Sequence, residues 1–182
     1  MKITISGKPG AGKSTIGKLV AERLRYSFYD IGQIRRNMAK DLGVNIHDLN
    51  KIGEKESFTD LEPDKYAEKV GKNEDNFVMV GRMSFYFVPD SFKIFLDVDK
   101  KVAAERIFNN HRNDENYKDI NDAINYLNIR EESDAKRFKK YYGIDIFDLS
   151  HYDLVIDTTN LKPNEIVEII LKELNKLNRG SS

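Results

Sequence analysis

The chain contains no cysteine, so it carries neither a disulfide framework nor a thiolate metal site. Histidine is scarce. His47, His111 and His151 are the only three, and no two stand at the spacing of a ligand pair. Net charge is lacking too: Lys plus Arg and Asp plus Glu number 30 each. No overall field therefore draws the protein to nucleic acid or to an anionic membrane, although a local arginine cluster could still hold a small polyanion. No apolar run approaches the length of a membrane span, and the opening "MKITISG" has no apolar h-region. A cytoplasmic location is the expectation. Internal repeats and low-complexity linkers are also missing.

What is present is an ordinary globular composition, 40% apolar and 33% charged, over 182 residues, enough for one domain with a full core. "KITIS" (2–6) reads as a buried strand stopped by Gly7. Ile16, Leu19, Val20 and Leu24 recur at helical spacing over 13–25. "SFYDIG" reads as a second strand, and 32–42 and 46–56 as two helices broken at Gly43. Another helix runs over 60–70 with Asp60 as its cap. The near-continuous apolar runs "NFVMVG" (76–81) and "FKIFLDV" (92–98) are strands covered on both faces. A helix over 100–110, a polar segment over 109–119, a long helix over 120–142 ending at Gly143, a strand over 153–158 and a helix opened by Pro163 complete the chain. Such alternation predicts an α/β fold with a five-stranded parallel sheet flanked by helices. Residues 1–179 are expected to form a single domain, with 32–75 and 109–119 as insertions beside the carboxyl ends of the strands. Residues 180–182 are set aside as a tail. His47 and His151 are expected at the surface, and Phe138, Tyr141 and Tyr142 are expected to pack the long helix on the core.

"GKPGAGKST" matches G-x-x-x-x-G-K-[ST] and sits between a strand and a helix, the context its chemistry requires. Gly7, Lys8, Pro9, Gly10, Ala11, Gly12, Lys13, Ser14 and Thr15 form the expected phosphate cradle. Gly10 and Gly12 let the backbone curl so that its N–H groups converge on an anion. The following helix adds its positive end. Lys13 would reach the β- and γ-phosphates of ATP, and Ser14 would ligate Mg²⁺. A switch, a motor and a small-molecule kinase would share this loop.

The octapeptide "REESDAKR" places Arg130, Asp134 and Arg137 at i, i+4 and i+7, on one helix face. Two guanidiniums about a carboxylate make a fork for phosphate and sugar oxygens. A solvated face laced with ion pairs fits the same spacing. With "IGQIRR", "GRMSFYFVPDSFKIFLDV", "REESDAKRFKKYYGID" and "YDLVIDTT" in place, nearly the whole chain resembles the cytidylate kinases. These belong to the adenylate-kinase-like nucleoside monophosphate kinases, and the short insertion and "YYGID" are most similar to the archaeal-type branch. The resemblance implies strand order 2-3-1-4-5, with 32–75 binding the acceptor and 109–119 acting as a lid. It implies acceptor roles for Arg36, Arg82, Arg130 and Asp134, and a bridge across the transferring phosphates by Arg137. Arg106, with Arg112, would cover ATP.

Three positions depart from that pattern. Val80 stands where relatives carry an acid that helps hold Mg²⁺, with Asp97 as a candidate substitute. Met83 stands where bacterial members have Asp, and Ile31 where they have Ser. Asp60 and Asp64 resemble an acidic pair of the archaeal branch, but also suit a helix start. Phe85, Tyr86 and Phe87 suit either base stacking or packing. The reading is phosphorylation of CMP or dCMP by ATP, in a monomer with small-molecule nucleotides as its partners. The alternatives are a kinase for AMP or UMP, or a P-loop ATPase switch or inactive relative, which Val80 and Met83 would favour.

Overall fold

Strand β1 (Lys2–Gly7) is the axis of a five-stranded sheet in which every pairing is parallel. The computed structural model describes residues 1–109 and 117–180. On one side of β1 lie β3 (Phe77–Val80) and then β2 (Ser27–Asp30); on the other lie β4 (Phe92–Asp97) and then β5 (Leu154–Asp157). The order is therefore 2-3-1-4-5, as expected. Register is direct: Ile5 pairs with Val80 and with Ile94, and Leu96 pairs with Ile156.

Helices α1 (Lys13–Leu24), α6 (Lys100–Asn109), α7 (Ile120–Tyr142) and α8 (Pro163–Gly180) contribute to the larger core. The excursion between β2 and β3 holds α2 (Ile31–Asp41), α3 (Ile46–Lys55) and α4 (Phe58–Asn73). Strand alternation decides which side chain goes where. Val78 and Val80 join Ile3, Ile5, Val20, Leu127 and Ile170 in the large core. Phe77 and Met79 face the other way, against Ile31, Ala67 and Val70 of the excursion. Residues of opposite parity in one short strand thus glue two layers to the sheet, which is why β3 shows no polar face.

Local signals set most boundaries. Asp30, Asn45 and Asp119 accept from the N–H groups of Gln33, Asp48 and Asp122 and cap α2, α3 and α7. Gly143 closes α7 with φ 71°. Two expectations fail. Asp60 does not cap α4, because the helix begins at Phe58 with Ser57 in the cap position, and Asp60 is buried in its first turn. The short helix α5 (Ser84–Phe87), within "SFYF", had no periodicity to announce it. His47 and His151 are half-buried rather than surface residues, against the rings of Tyr126 and Phe85. Of the expected lid, 110–116 with Arg112 lie outside the described residues.

Candidate active site

A cavity of about 320 Å³ opens where the strands end, lined at one side by Pro9–Thr15 and at the other by α2, α4 and the segment after β3. Gly10 and Gly12 both take positive φ, 80° and 85°, a region that costs any residue with a Cβ. At Gly10 a Cβ would also lie 2.7 Å from that of Ala103, so the loop rests directly on α6. Gly12 then occupies the N-cap of α1 with no side chain over the helix end, leaving its N–H groups and positive end to an anion. Lys13 folds back onto the loop, donating to the carbonyls of Gly7 (2.8 Å) and Lys8 (2.6 Å). Burial, then Arg130 and Arg82, hold its pKa well below the ordinary lysine value, so the site favours any anion that would relieve this crowding.

Opposite the loop, guanidiniums gather. Arg35, Arg36, Arg82 and Arg130 line the cavity. Arg137 and Asp134 stand one layer back, nearly inaccessible, bonded to lining residues. Asp60 binds Arg35 and, at 2.5 Å, Arg137. Asp134 binds Arg137 and, at 2.5 Å, Nε of Arg82. The "REESDAKR" face is thus no solvated surface: its Asp and second Arg are part of a buried network. Burial pushes the Asp134 carboxyl up, but Arg82, Arg137 and Arg130 more than offset this and hold it below the usual range. Burial likewise draws Arg82 down to about 9, against the opposing pull of Asp134. Nε of Arg35 and Nε of Arg137 are buried and make no hydrogen bond. Arginines outnumber carboxylates here, and spare donors remain, which suits an incoming phosphate.

The helix α4 is shaped for this network. Pro63 has no N–H to give to the carbonyl four residues back, and that carbonyl, of Thr59, accepts Nη1 of Arg35 at 3.2 Å. Asn50 of α3 accepts the other Nη at 3.0 Å. Tyr141 donates to the carbonyl of Gly53, and Tyr142 to Asp64, tying α7 to α3 and α4. Phe138 packs with Met83, Phe85 and Ile146.

On the loop side, Arg106 of α6 donates to the carbonyl of Thr158 (2.7 Å) and to its hydroxyl (3.1 Å). With Ile107, Leu161, Pro163 and Ile166 it forms the outer end of the cavity. Gly7 and Lys8 do not line it. Lys8 pairs with Asp97 at 2.7 Å, which makes Asp97 an ion-pair partner away from the cavity. Val80 is 3% exposed and apolar. Among the described residues no three His, Asp or Glu converge on one point. A metal here would draw its protein ligand from the Ser14 hydroxyl and the rest from phosphate and water. This donor set suits Mg²⁺, which keeps much of its hydration.

The sequence pattern had singled out Arg36, Arg82, Arg130 and Asp134. It passed over Arg35, Asn50 and Ser84, and it left Asp60 and Asp64 with two readings. The doubled Arg35–Arg36 and the i, i+4 pair Asp60–Asp64 were the signals available. Met83 and Ile31 are buried apolar walls of the cavity.

The sequence matches the profile of the "Cytidylate kinase-like family" over residues 2–160. Curated relatives include the cytidylate kinase of Sulfolobus acidocaldarius, 36% identical, with 100% of this chain and 98% of the relative covered. That of Thermoplasma volcanium is 34% identical, with 98% and 94% covered. Among solved structures, an uncharacterized protein from Eubacterium ventriosum superposes with TM-score 0.71 at 18% identity, covering 96% of this chain and 98% of its own. Shikimate kinase from Aquifex aeolicus superposes with TM-score 0.59 at 20% identity, each chain covered to 99%. These two likenesses concern the fold alone.

Proposed function

Since the chain belongs to the cytidylate kinase-like family, we propose that it is a nucleoside monophosphate kinase that transfers the γ-phosphoryl group of ATP to CMP or dCMP. The observation that carries this reading is the single cavity with an anion-binding loop at one side and a cluster of guanidiniums at the other. Such a reaction needs in-line positioning and charge neutralisation, not a nucleophilic side chain. An oxygen of the acceptor phosphate attacks the γ-phosphorus, the bond to the β–γ bridging oxygen breaks, and ADP departs with the electron pair.

In this reading Lys13 and the loop amides of Pro9–Thr15 hold the ATP phosphates, and Lys13 exchanges its two carbonyl partners for phosphate oxygens. Arg36, Arg82 and Arg130 position the acceptor, with Asp134 orienting Arg82. Arg137 bridges the moving group once it gives up Asp60, its partner in this structure. Ser14 would hold Mg²⁺, which neutralises β- and γ-phosphate charge when bound. Arg106 stands at the ATP end. The excursion 32–75 closes over the acceptor and keeps water from the γ-phosphate. The protein works in the cytoplasm as a monomer.

A coupled assay for ADP, with each monophosphate offered in turn, tests this. CMP and dCMP should turn over fastest, and saturating CMP should suppress turnover of any poorer acceptor. Arg130→Ala should weaken the acceptor's KM by about 10-fold or more while moving that of ATP little, since a charge-assisted contact to one substrate is lost. ATP hydrolysis indifferent to every monophosphate would replace the kinase with an ATPase switch.

A further inference from the structure

The arginines around the cavity are held in two different ways. Carboxylates carry three of them: Asp60 binds Arg35 and Arg137, and Asp134 binds Arg82 and Arg137. Arg130 meets a ring. Its Nη1 donates to the Tyr126 hydroxyl, one helical turn earlier on α7, at 3.3 Å, and its guanidinium carbon lies 5.8 Å from the centroid of that ring. Tyr126 is 6% exposed and does not line the cavity, whereas Arg130 does. Two further rings meet that of Tyr126. The ring of His47, in the first turn of α3, lies 4.0 Å away, and that of Tyr117, just before α7, lies 5.3 Å away. The far end of α3 is fastened to α7 by hydrogen bonds: Tyr141 and Lys140 donate to the carbonyls of Gly53 (2.7 Å) and Glu54 (3.0 Å). Its near end bears on α7 through His47 and Tyr126.

Resting on the kinase reading above, we infer that Tyr126 is a positioning residue: it presents Arg130 to the acceptor and, through His47, lets the excursion set that placement. Packing alone needs only the ring, which phenylalanine would supply equally. The hydroxyl is turned instead to a guanidinium that faces the cavity. A long arginine side chain loses much rotamer freedom when a ligand fixes it, and a ring and hydroxyl that already hold it reduce that loss. A phenol also orients a cation without cancelling its charge, whereas the carboxylates on Arg82 and Arg137 cancel much of theirs. The same ring touches both His47 of the excursion and Arg130. A shift of α3 when the acceptor binds therefore reaches the guanidinium through one side chain.

The test is a double-mutant cycle on steady-state kinetics with ATP and CMP, using the wild type, Tyr126→Phe, Arg130→Ala and the pair. Tyr126→Phe keeps the ring and removes only the hydroxyl. It should raise the KM for CMP by roughly 3- to 10-fold and move that for ATP by less than about 2-fold. In the Arg130→Ala background the same change should do nothing further, since the side chain it acts through is gone. His47→Leu should raise the KM for CMP by a smaller factor, again with no further effect once Arg130 is removed, and it carries the test if Tyr126→Phe does not fold. An unmoved KM in His47→Leu overturns the link to the excursion. A merely structural role predicts that Tyr126→Phe costs the same with and without Arg130, affects ATP and CMP alike, or moves neither. Any of these results overturns the assignment and leaves the kinase reading intact. Arg130→Ala with an unmoved KM for CMP overturns the acceptor role of Arg130 and this inference with it. A wild type that forms no diphosphate from any monophosphate overturns the kinase reading itself.

Discussion

Asp64 carries a consequence for stability that a surface carboxylate would not. Burial raises its pKa from the ordinary 3.8 to about 6, against the opposing influence of the Tyr142 hydroxyl and of Arg35 and Arg137, the charged groups that face it. The folded state therefore binds this proton more tightly than the unfolded chain does. The stabilisation is present in full below the ordinary value and is lost as pH rises through about 6. The gap between the two values corresponds to at most about 3 kcal/mol. Asp64→Asn has no such proton to lose. Its unfolding free energy should gain on the wild type as pH rises from 4.5 to 7, by up to that amount, as measured by urea titration at the two pH values. A constant difference would mean that the carboxyl is solvated.

At the scale of elements, the excursion α2–α4 is held to α7 by polar contacts rather than by a hydrophobic seam. Arg35, Asp60 and Arg137 come from three different helices, and α3 reaches them through a glycine. A Cβ on Gly53 would lie 2.6 Å from the Thr59 hydroxyl, 3.2 Å from Cδ of Arg137 and 3.3 Å from Oδ2 of Asp60. Gly53→Ala should therefore destabilise the fold by about 1–3 kcal/mol, as overpacking does, although alanine is the better helix former. It should raise the acceptor's KM more than that of ATP, because the strain falls on α3 and α4. Denaturant unfolding and steady-state kinetics on one preparation check both halves. A gain in stability, as propensity alone predicts, would show that α3 can shift away.

Over the whole molecule, the decisive feature is that the phosphate loop and the guanidinium cluster share one cavity. A ligand that carries both nucleotides on one polyphosphate chain should then occupy both ends at once. At equal concentration, an adenosine–cytidine pentaphosphate should raise the melting temperature more than ATP or CMP alone, since stabilisation grows with the logarithm of ligand concentration over Kd. Differential scanning fluorimetry reads this directly. A shift no larger than that with ATP would mean that the two ends do not cooperate. Here Arg137 also has its test, because a bound bisubstrate should part it from Asp60.

Sequence by itself determined what depends on near neighbours in the chain. The phosphate loop was legible because one contiguous stretch supplies its glycines, its lysine and its helix start. Strand β3 was legible because a strand buried on both faces must be apolar throughout, and the end of α7 because Gly143 alone among its neighbours takes φ 71° without strain. The i, i+4, i+7 spacing brought Arg130, Asp134 and Arg137 to one face. Whether that face was wet or buried, spacing could not say. Only the tertiary structure decided that Asp60 turns inward rather than capping α4, because its partner Arg137 lies 77 residues away. It also decided that Arg35 joins the network, that Asp97 answers Lys8, and that Asp64 is buried against Tyr142. The physical reason is the same in each case: a buried charge or hydroxyl takes its meaning from groups brought near by packing, and a local pattern carries no record of them.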